Sequence, residues 1–97
     1  MRVLSKRALR EFWEMLPDAE EPLRRWYKAT VEADWSNLAE VRRTFPHADR
    51  VGECTVFNIH GNDYRLIAKI KYDYGMVYVR FVLTHREYDR NAWKSDC

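Results

Sequence analysis

Residues 54–89 of the 97-residue chain read CTVFNIHGNDYRLIAKIKYDYGMVYVRFVLTHREYD, and this stretch decides the fold. Apolar and polar side chains alternate over much of it, which is typical of β-strands with one buried face. Gly61-Asn62 separates the first two apolar runs and favours a tight hairpin turn. A second turn is predicted at residues 73–76. The stretch therefore predicts three consecutive antiparallel strands.

The two turns predict a pairing register and, with it, the two faces of the sheet. Asn58 lies opposite Arg65, and Lys69 lies opposite Arg80. One face packs under the helices with Phe57, Ile59, Leu66, Ala68, Ile70, Val77, Val79, Phe81 and Leu83. The other face carries Val56, Asn58, Arg65, Ile67, Lys69, Lys71, Tyr78, Arg80 and Val82.

The predicted Lys69–Arg80 pair bears on function, because like charges directly opposite each other repel by roughly 0.2–1 kcal/mol. A bound phosphate would relieve this repulsion. Basic residues also protect sheet edges from aggregation, and that explanation carries about equal weight. Arg65 and Lys71 on the same face favour the first explanation, so the sequence predicts a surface for a polyanion.

The N-terminal half is predicted to be helical after a short opening strand at residues 1–4. Ser5 begins an amphipathic helix that ends at Pro17. Asp18 is predicted to cap a second helix, and a short third helix ends at Pro46. Without linkers or repeats, residues 1–97 are expected to form a single domain. The fold class is α+β, with the N-terminal helices packed on one face of a small antiparallel sheet.

Composition limits the function classes. The chain has 17 basic and 15 acidic residues, a net charge of +2, so only local clustering supports nucleic-acid binding. Its two cysteines, Cys54 and Cys97, have no metal-ligand spacing and are expected to be reduced thiols. No signal peptide or membrane-spanning run is visible, so we expect a cytoplasmic protein without a membrane partner.

The residues on and after the predicted sheet suit RNA cleavage by the neighbouring 2′-hydroxyl, which needs a base, an acid and cations. Arg65 and Arg80 would hold the phosphate, and His85 would transfer protons. Tyr88 and Lys69 are further candidates for proton transfer. His85 could instead be a loop residue, and Tyr88 could pack inward. RNA contacts are expected from Asn58, Lys71, Tyr78 and Lys94. No metal or other cofactor is expected.

The segments VFNIHGNDYRLI (residues 56–67) and THREYD (residues 84–89) closely resemble the HigB toxins, which are RelE-like toxins of type II toxin–antitoxin systems. The resemblance extends over nearly the whole chain. It implies a RelE/ParE-like α+β fold and a metal-independent endoribonuclease that cleaves mRNA, often on the ribosome. It also implies that the working residues are Arg65, Lys69, Arg80, His85 and Tyr88.

The same resemblance implies particular partners. A HigA-like helix-turn-helix antitoxin would neutralise the toxin, and operator DNA would be bound only through that antitoxin. Two other functions stay open. The fold also hosts non-catalytic ParE-like toxins that inhibit a topoisomerase, and the basic face could belong to a plain RNA-binding module.

Overall fold

The computed structural model describes all residues, 1–97, as helices and strands joined by short connections. Its α-helices are α1 (Lys6–Met15), α2 (Glu20–Glu32), α3 (Leu38–Thr44) and α4 (His85–Asp89). Its strands are β1 (Arg2–Leu4), β2 (Asp49–Val51), β3 (Cys54–Ile59), β4 (Tyr64–Lys71) and β5 (Met76–Thr84). Three short 3₁₀ helices complete the structure: Pro17–Ala19, Tyr72–Tyr74 and Ala92–Asp96.

The five strands form one sheet in the order β1-β5-β4-β3-β2. β1 runs parallel to β5, and the remaining neighbours are antiparallel. The main core lies between one face of the sheet and the helices, where Leu9, Leu23, Trp26, Phe57 and Leu66 are almost fully buried. The predicted α+β class is therefore confirmed. None of the helices combines the length and hydrophobicity needed to cross a membrane.

The corner between α1 and α2 differs from the prediction. Pro17 is the first residue of a 3₁₀ turn, and α2 begins at Glu20 without a side-chain cap. The predicted N-cap, Asp18, instead accepts a hydrogen bond from the hydroxyl of Tyr64. This bond ties the helical corner to the start of β4, and it raises the pKa of the Tyr64 phenol to about 12.

The first hairpin has the predicted register, because Asn58 lies opposite Arg65 as the Gly61-Asn62 turn requires. The second hairpin has a different register from the one predicted. Its connection is the 3₁₀ turn at Tyr72–Tyr74, followed by Gly75 in the left-handed conformation at φ 64°. As a result Lys69 lies opposite Tyr78, and the predicted Lys69–Arg80 pair is wrong.

A β-bulge then changes the faces of β5. Ala68 pairs with Val79 and Ile67 pairs with Phe81, so Arg80 is an extra residue with no partner on β4. Beyond the bulge, Val82 packs against the helical core. Phe81 and Leu83 pack on the opposite face. The sequence predicted the reverse for these three residues.

That opposite face, called the outer face below, carries a second small core. Cys54, Val56, Ile67 and Trp93 are buried there. The cover is the terminal segment, residues 85–97, which comprises α4 and the last 3₁₀ helix. Cys97 at its end forms a disulfide with Cys54 on β3, so the prediction of two reduced thiols is wrong. Apolar side chains thus cover part of the outer face, whereas the sequence predicted an open basic surface.

Candidate functional site

The candidate site begins where β5 passes into α4. Thr84 caps α4 by accepting from the Glu87 backbone N–H, while the Glu87 carboxylate accepts from the Thr84 backbone N–H. This reciprocal pair is a capping box, and it fixes the first turn of the helix. His85 is the first residue of that turn, so its ring has a defined position at the end of the sheet.

His85 is half exposed, with 51% of its side chain accessible, yet both ring nitrogens have neighbours. Nδ1 lies 3.1 Å from the backbone carbonyl oxygen of Asn62, at the tip of the first hairpin. Nε2 lies 3.2 Å from Oδ2 of Asp89, one helical turn further along α4. The ring is therefore positioned by the hairpin on one side and by its own helix on the other.

Arg65 lies beside His85, but it is only 8% exposed. Its Nη1 donates to the carbonyl oxygens of Asn62, at 3.0 Å, and Tyr64, at 3.1 Å. Its Nη2 donates to the Asn62 side chain at 3.2 Å. Arg65 and His85 thus share the Asn62 carbonyl. The guanidinium provides positive charge at this point, while several of its N–H groups have partners within the protein.

Tyr88 is the third member of this group. Its ring stacks on Trp93, with centroids 5.0 Å apart and planes 13° from parallel. The Arg65 guanidinium carbon lies 5.1 Å from the Tyr88 centroid, which is cation–π geometry. Tyr88 therefore packs partly inward, as one of the two sequence alternatives held, and it supports Arg65 in place.

A second group of charges lies further along the strands. Arg80 lies on β5, opposite the step between Ile67 and Ala68 of β4. This position is ~8 Å along the sheet from Arg65. Its Nε and Nη2 donate to the two carboxylate oxygens of Asp96, at 2.7 Å and 3.1 Å. The hydrogen bond from Arg80 holds the pKa of Asp96 below its usual range, and Lys69 adds a smaller effect of the same sign.

The remaining predicted RNA contacts are spread over the outer face. Asn58 is exposed opposite Arg65, and it lines a hollow of about 500 Å³ with His47, Gly61 and Asn62. Lys71 and Tyr78 lie towards the other hairpin, where the Tyr78 hydroxyl contacts the sulfur of Met76. Lys94 is exposed on the terminal segment, with Nζ 5.7 Å from the Trp93 ring. The structure thus brings Arg65, His85 and Tyr88 together and holds Lys71 and Tyr78 apart from them.

Three members of the site were missed from the sequence. Asp89 follows His85 by four residues, the spacing of neighbours on a helix, and that signal was available. Asn62 contributes a backbone carbonyl, which no residue pattern reveals. Asp96 reaches Arg80 through the fold of a short 3₁₀ segment that has no periodicity to read.

One cluster offers metal-ligand atoms. Asp18, His60 and Asp63 are exposed, and their ligand atoms lie within 4.8 Å of one another at the tip of the first hairpin. His60 Nδ1 lies 2.8 Å from the Asp63 carboxylate and 3.9 Å from that of Asp18. These contacts account for the cluster as a hydrogen-bonded and ionic group, so it supplies no argument for a metal.

Comparison with known proteins identifies a family and several relatives of this chain. The family described as HigB_toxin, RelE-like toxic component of a toxin-antitoxin system, matches residues 19–91. An mRNA interferase HigB of Escherichia coli O6:H1 is 29% identical over 93 residues, covering 93% of this chain and 90% of the relative. The mRNA interferase toxin HigB of Escherichia coli K12 is 26% identical, covering 92% and 88%. An mRNA interferase HigB of Shigella flexneri has the same identity and coverage.

Proposed function

Because this chain belongs to the HigB_toxin family of RelE-like toxins from toxin–antitoxin systems, we propose that it is an mRNA interferase. It is an endoribonuclease that inhibits translation by cutting mRNA, and residues 1–97 act as one toxin domain. The observation that carries the proposal is an exposed imidazole, His85, on the same sheet face as Arg65, Lys69 and Arg80. The names of the relatives at 26–29% identity point to the same activity.

The proposed reaction uses the side chains of this face. The 2′-hydroxyl of one nucleotide attacks the adjacent phosphorus, and the bond to the 5′-oxygen breaks. Arg80 and Lys69 bind the phosphate, because a guanidinium and an ammonium both stabilise its developing charge. Arg65 contributes its charge while its N–H groups stay on Asn62. We assign proton transfer to His85, with Tyr88 as the second candidate.

The RNA strand lies along the outer face in this proposal. Asn58 contacts it at the end near His85, and Lys71 and Tyr78 contact it near the second hairpin. Lys94 contacts it from the terminal segment. Asp96 competes with phosphate for Arg80, because a carboxylate and a phosphate present the same kind of acceptor oxygens to a guanidinium. RNA binding therefore requires the Arg80–Asp96 pair to open.

The family membership implies an antitoxin as partner. We propose further that this antitoxin is a HigA-like helix-turn-helix protein, and that the toxin reaches operator DNA only through it. We further propose that the toxin acts in the cytoplasm, on ribosome-bound message, because its proposed substrate is mRNA. In that compartment the glutathione pool opposes disulfides, so molecules with an open Cys54–Cys97 pair are expected there as well.

Induced expression with mapping of transcript 5′ ends tests the proposal. We expect the wild type to stop growth and create new 5′ ends within mRNA. Arg80→Ala removes the guanidinium that is proposed to bind the phosphate, so it should abolish both effects while its circular dichroism stays native. Arg10→Ala is the matched control, since Arg10 is an exposed arginine on α1, in the helical layer.

The same experiment separates the rival functions. Replication arrest with DNA damage and intact transcripts would indicate a topoisomerase inhibitor of the ParE kind. RNA binding without any new 5′ ends, with or without ribosomes, would indicate a plain binding module. A fully toxic Arg80→Ala protein would remove Arg80 from the mechanism.

A further inference from the structure

A polar hollow of about 500 Å³ lies beside the candidate site, at the tip of the first hairpin. It is lined by His47, Asn58, Gly61 and Asn62, all of which are exposed. Its volume lies within the usual range of small-ligand sites. Because no apolar side chain lines it, an apolar ligand would gain little there. The lining suits a flat polar group that is recognised by hydrogen bonds.

The hollow lies where the pairing of β2 with β3 stops. The final pair towards the hairpin tip is Asp49 with Val56. If the antiparallel ladder continued in the same register, His47 would lie opposite Asn58. The chain instead leaves the sheet, because the Ala48 backbone N–H closes a turn immediately after α3. His47 and Asn58 are thus separated, and the gap between them is open to solvent.

The polar side chains of the hollow are available to a ligand. Those of His47 and Asn58 have no hydrogen-bond partner within the protein. Asn62 is held differently, because its Oδ1 accepts from Nη2 of Arg65 at 3.2 Å. A guanidinium has only donors, so this contact fixes which way the amide points. The Asn62 amide nitrogen therefore has N–H groups left to donate, whereas Asn58 offers a donor and an acceptor side by side.

Asn62 also connects the hollow to the candidate site. Its carbonyl oxygen lies 3.0 Å from Nη1 of Arg65 and 3.1 Å from Nδ1 of His85. An RNA strand whose cleaved phosphate lies between Arg80 and His85 therefore extends a neighbouring nucleotide towards the hollow. Bases of single-stranded RNA are recognised by hydrogen bonds to their edges and by stacking on flat side chains, histidine among them.

Resting on the proposed function, we infer that this hollow is a base pocket that sets which mRNA sequences are cut. It takes one unstacked base next to the cleaved phosphate. Asn58 pairs with the edge of that base, Asn62 donates one further hydrogen bond, and the His47 ring stacks on the base. Phosphate contacts carry no sequence information, so a preference must come from groups that meet a base edge. Asn58 is the specificity-determining residue.

Mapping of transcript 5′ ends after induction tests the role of Asn58, because it shows the base at every position around each cut. We expect the wild type to prefer one base at one fixed position beside the cut. A good two-point contact with a base edge discriminates by roughly 5- to 150-fold. Asn58→Ala should lose that preference while cutting continues at a lower rate. The preference is a ratio among the four bases, so a lower rate does not hide it.

His47 has a different signature in the same experiment. Stacking is tolerant of sequence and contributes roughly 5- to 150-fold per base. His47→Ala should therefore make fewer cuts and keep the preferred base, and His47→Phe should recover most of the lost cutting. Arg10→Ala, on α1, is again the control and should match the wild type. Circular dichroism of each variant checks the fold, which exposed positions such as 47 and 58 should leave intact.

Several outcomes would overturn the inference. Wild-type cuts without any base preference would show that no base is recognised. An unchanged preference in Asn58→Ala would assign recognition to another group, and the loss of every cut from a folded Asn58→Ala protein would make Asn58 part of the reaction itself. Cutting by His47→Ala at the wild-type level would remove His47 from the pocket. Wild-type protein that makes no cuts at all would instead refute the proposed function, and the base pocket with it.

Discussion

Arg80 is the clearest case of a single residue whose surroundings decide its role. It is exposed on the sheet, yet both arms of its guanidinium are bonded to Asp96, sixteen residues further along the chain. The pair raises the pKa of Arg80 and lowers that of Asp96, so both stay charged across the physiological range. Under the proposed function, the Asp96 carboxylate therefore competes with phosphate for Arg80.

Replacing Asp96 should strengthen RNA binding. Asp96→Asn keeps the shape of the side chain and removes the charge that competes with phosphate. Exposed ion pairs are weak, so we expect a gain of only about two- to fivefold in affinity. Fluorescence anisotropy with a single-stranded RNA, in a His85→Ala background that does not cut it, would measure the change. Asp34→Asn, at an exposed aspartate in the loop after α2, is the control. If Asp96→Asn binds RNA no more tightly than this control, Asp96 does not compete with phosphate.

Tyr64 gives a prediction about pH. Its hydroxyl donates to Asp18, and the pKa of the folded phenol is raised to about 12 from an ordinary value of 10.0. A raised pKa means that the bond stabilises the fold fully below pH ~10 and is lost as the pH rises through ~12. Tyr64→Phe should therefore cost about 1 kcal/mol at neutral pH.

Urea denaturation of wild type and Tyr64→Phe at pH 7 and pH 11.5 (~4.5 units apart) would show the effect. The difference in stability between the two proteins should be smaller at the higher pH. Tyr74→Phe is the control, because Tyr74 is 79% exposed and its hydroxyl has no hydrogen-bond partner in the structure. A difference that stays constant with pH would exclude the Tyr64–Asp18 bond as its source.

At the scale of elements, the sequence predicted β1, β3, β4 and β5 but not the short β2, and it predicted the two faces of the sheet only up to the bulge. The Gly61-Asn62 turn set the first register correctly, because a two-residue signal leaves few alternatives. Beyond Arg80 the chain reads Phe81, Val82 and Leu83. Three consecutive apolar residues fit either face equally, so alternation could not reveal the extra residue. The bulge is decided by packing on both sides of the sheet, which no local pattern records.

The terminal segment was equally hidden from sequence reasoning. Trp93 is 3% exposed and covers the outer face beside Ile67, although its helix is short and no apolar periodicity surrounds it. The THREYD motif did place His85 and Tyr88 correctly at the end of β5. What it could not give was the return of the chain over the sheet, which brings Asp96 to Arg80 and Cys97 to Cys54.

The disulfide should stabilise this terminal segment measurably. It closes the chain between positions 43 residues apart, and such links contribute roughly 2–4 kcal/mol. We expect reductant to lower the melting temperature of the wild type and to leave Cys97→Ser unaffected. Because Asp96 adjoins Cys97, RNA affinity should also rise on reduction. Equal melting temperatures with and without reductant would show that the link adds nothing to stability.

At the scale of the whole molecule, the two faces of the sheet have separate tasks. The helices cover one face and supply most of the core, while the candidate site occupies the other. Amphipathic helices and alternating strands revealed this layering from the sequence alone, since each element must bury its apolar side. The fold class was therefore predictable even though the detailed register was not.

The modest net charge of +2 predicts a shallow dependence of RNA binding on salt. If Lys69, Lys71, Arg80 and Lys94 each contact one phosphate, the slope of log K against log salt should be about −3. Lys71→Ala should reduce that slope by about 0.7. Anisotropy over a series of KCl concentrations would measure both, with Lys28→Ala on α2 as control. A slope near zero would rule out the outer face as the RNA surface.

The pairing of β1 with β5 has a consequence for how the protein is made. Arg2, Val3 and Leu4 are translated well before their partners Met76, Val77 and Tyr78. Contacts so distant in sequence form late and slowly. A nascent chain interrupted before Met76 lacks β5, His85 and Arg80 together. Under the proposed function, the surface that cuts RNA is thus complete only after β5 and α4 have been translated.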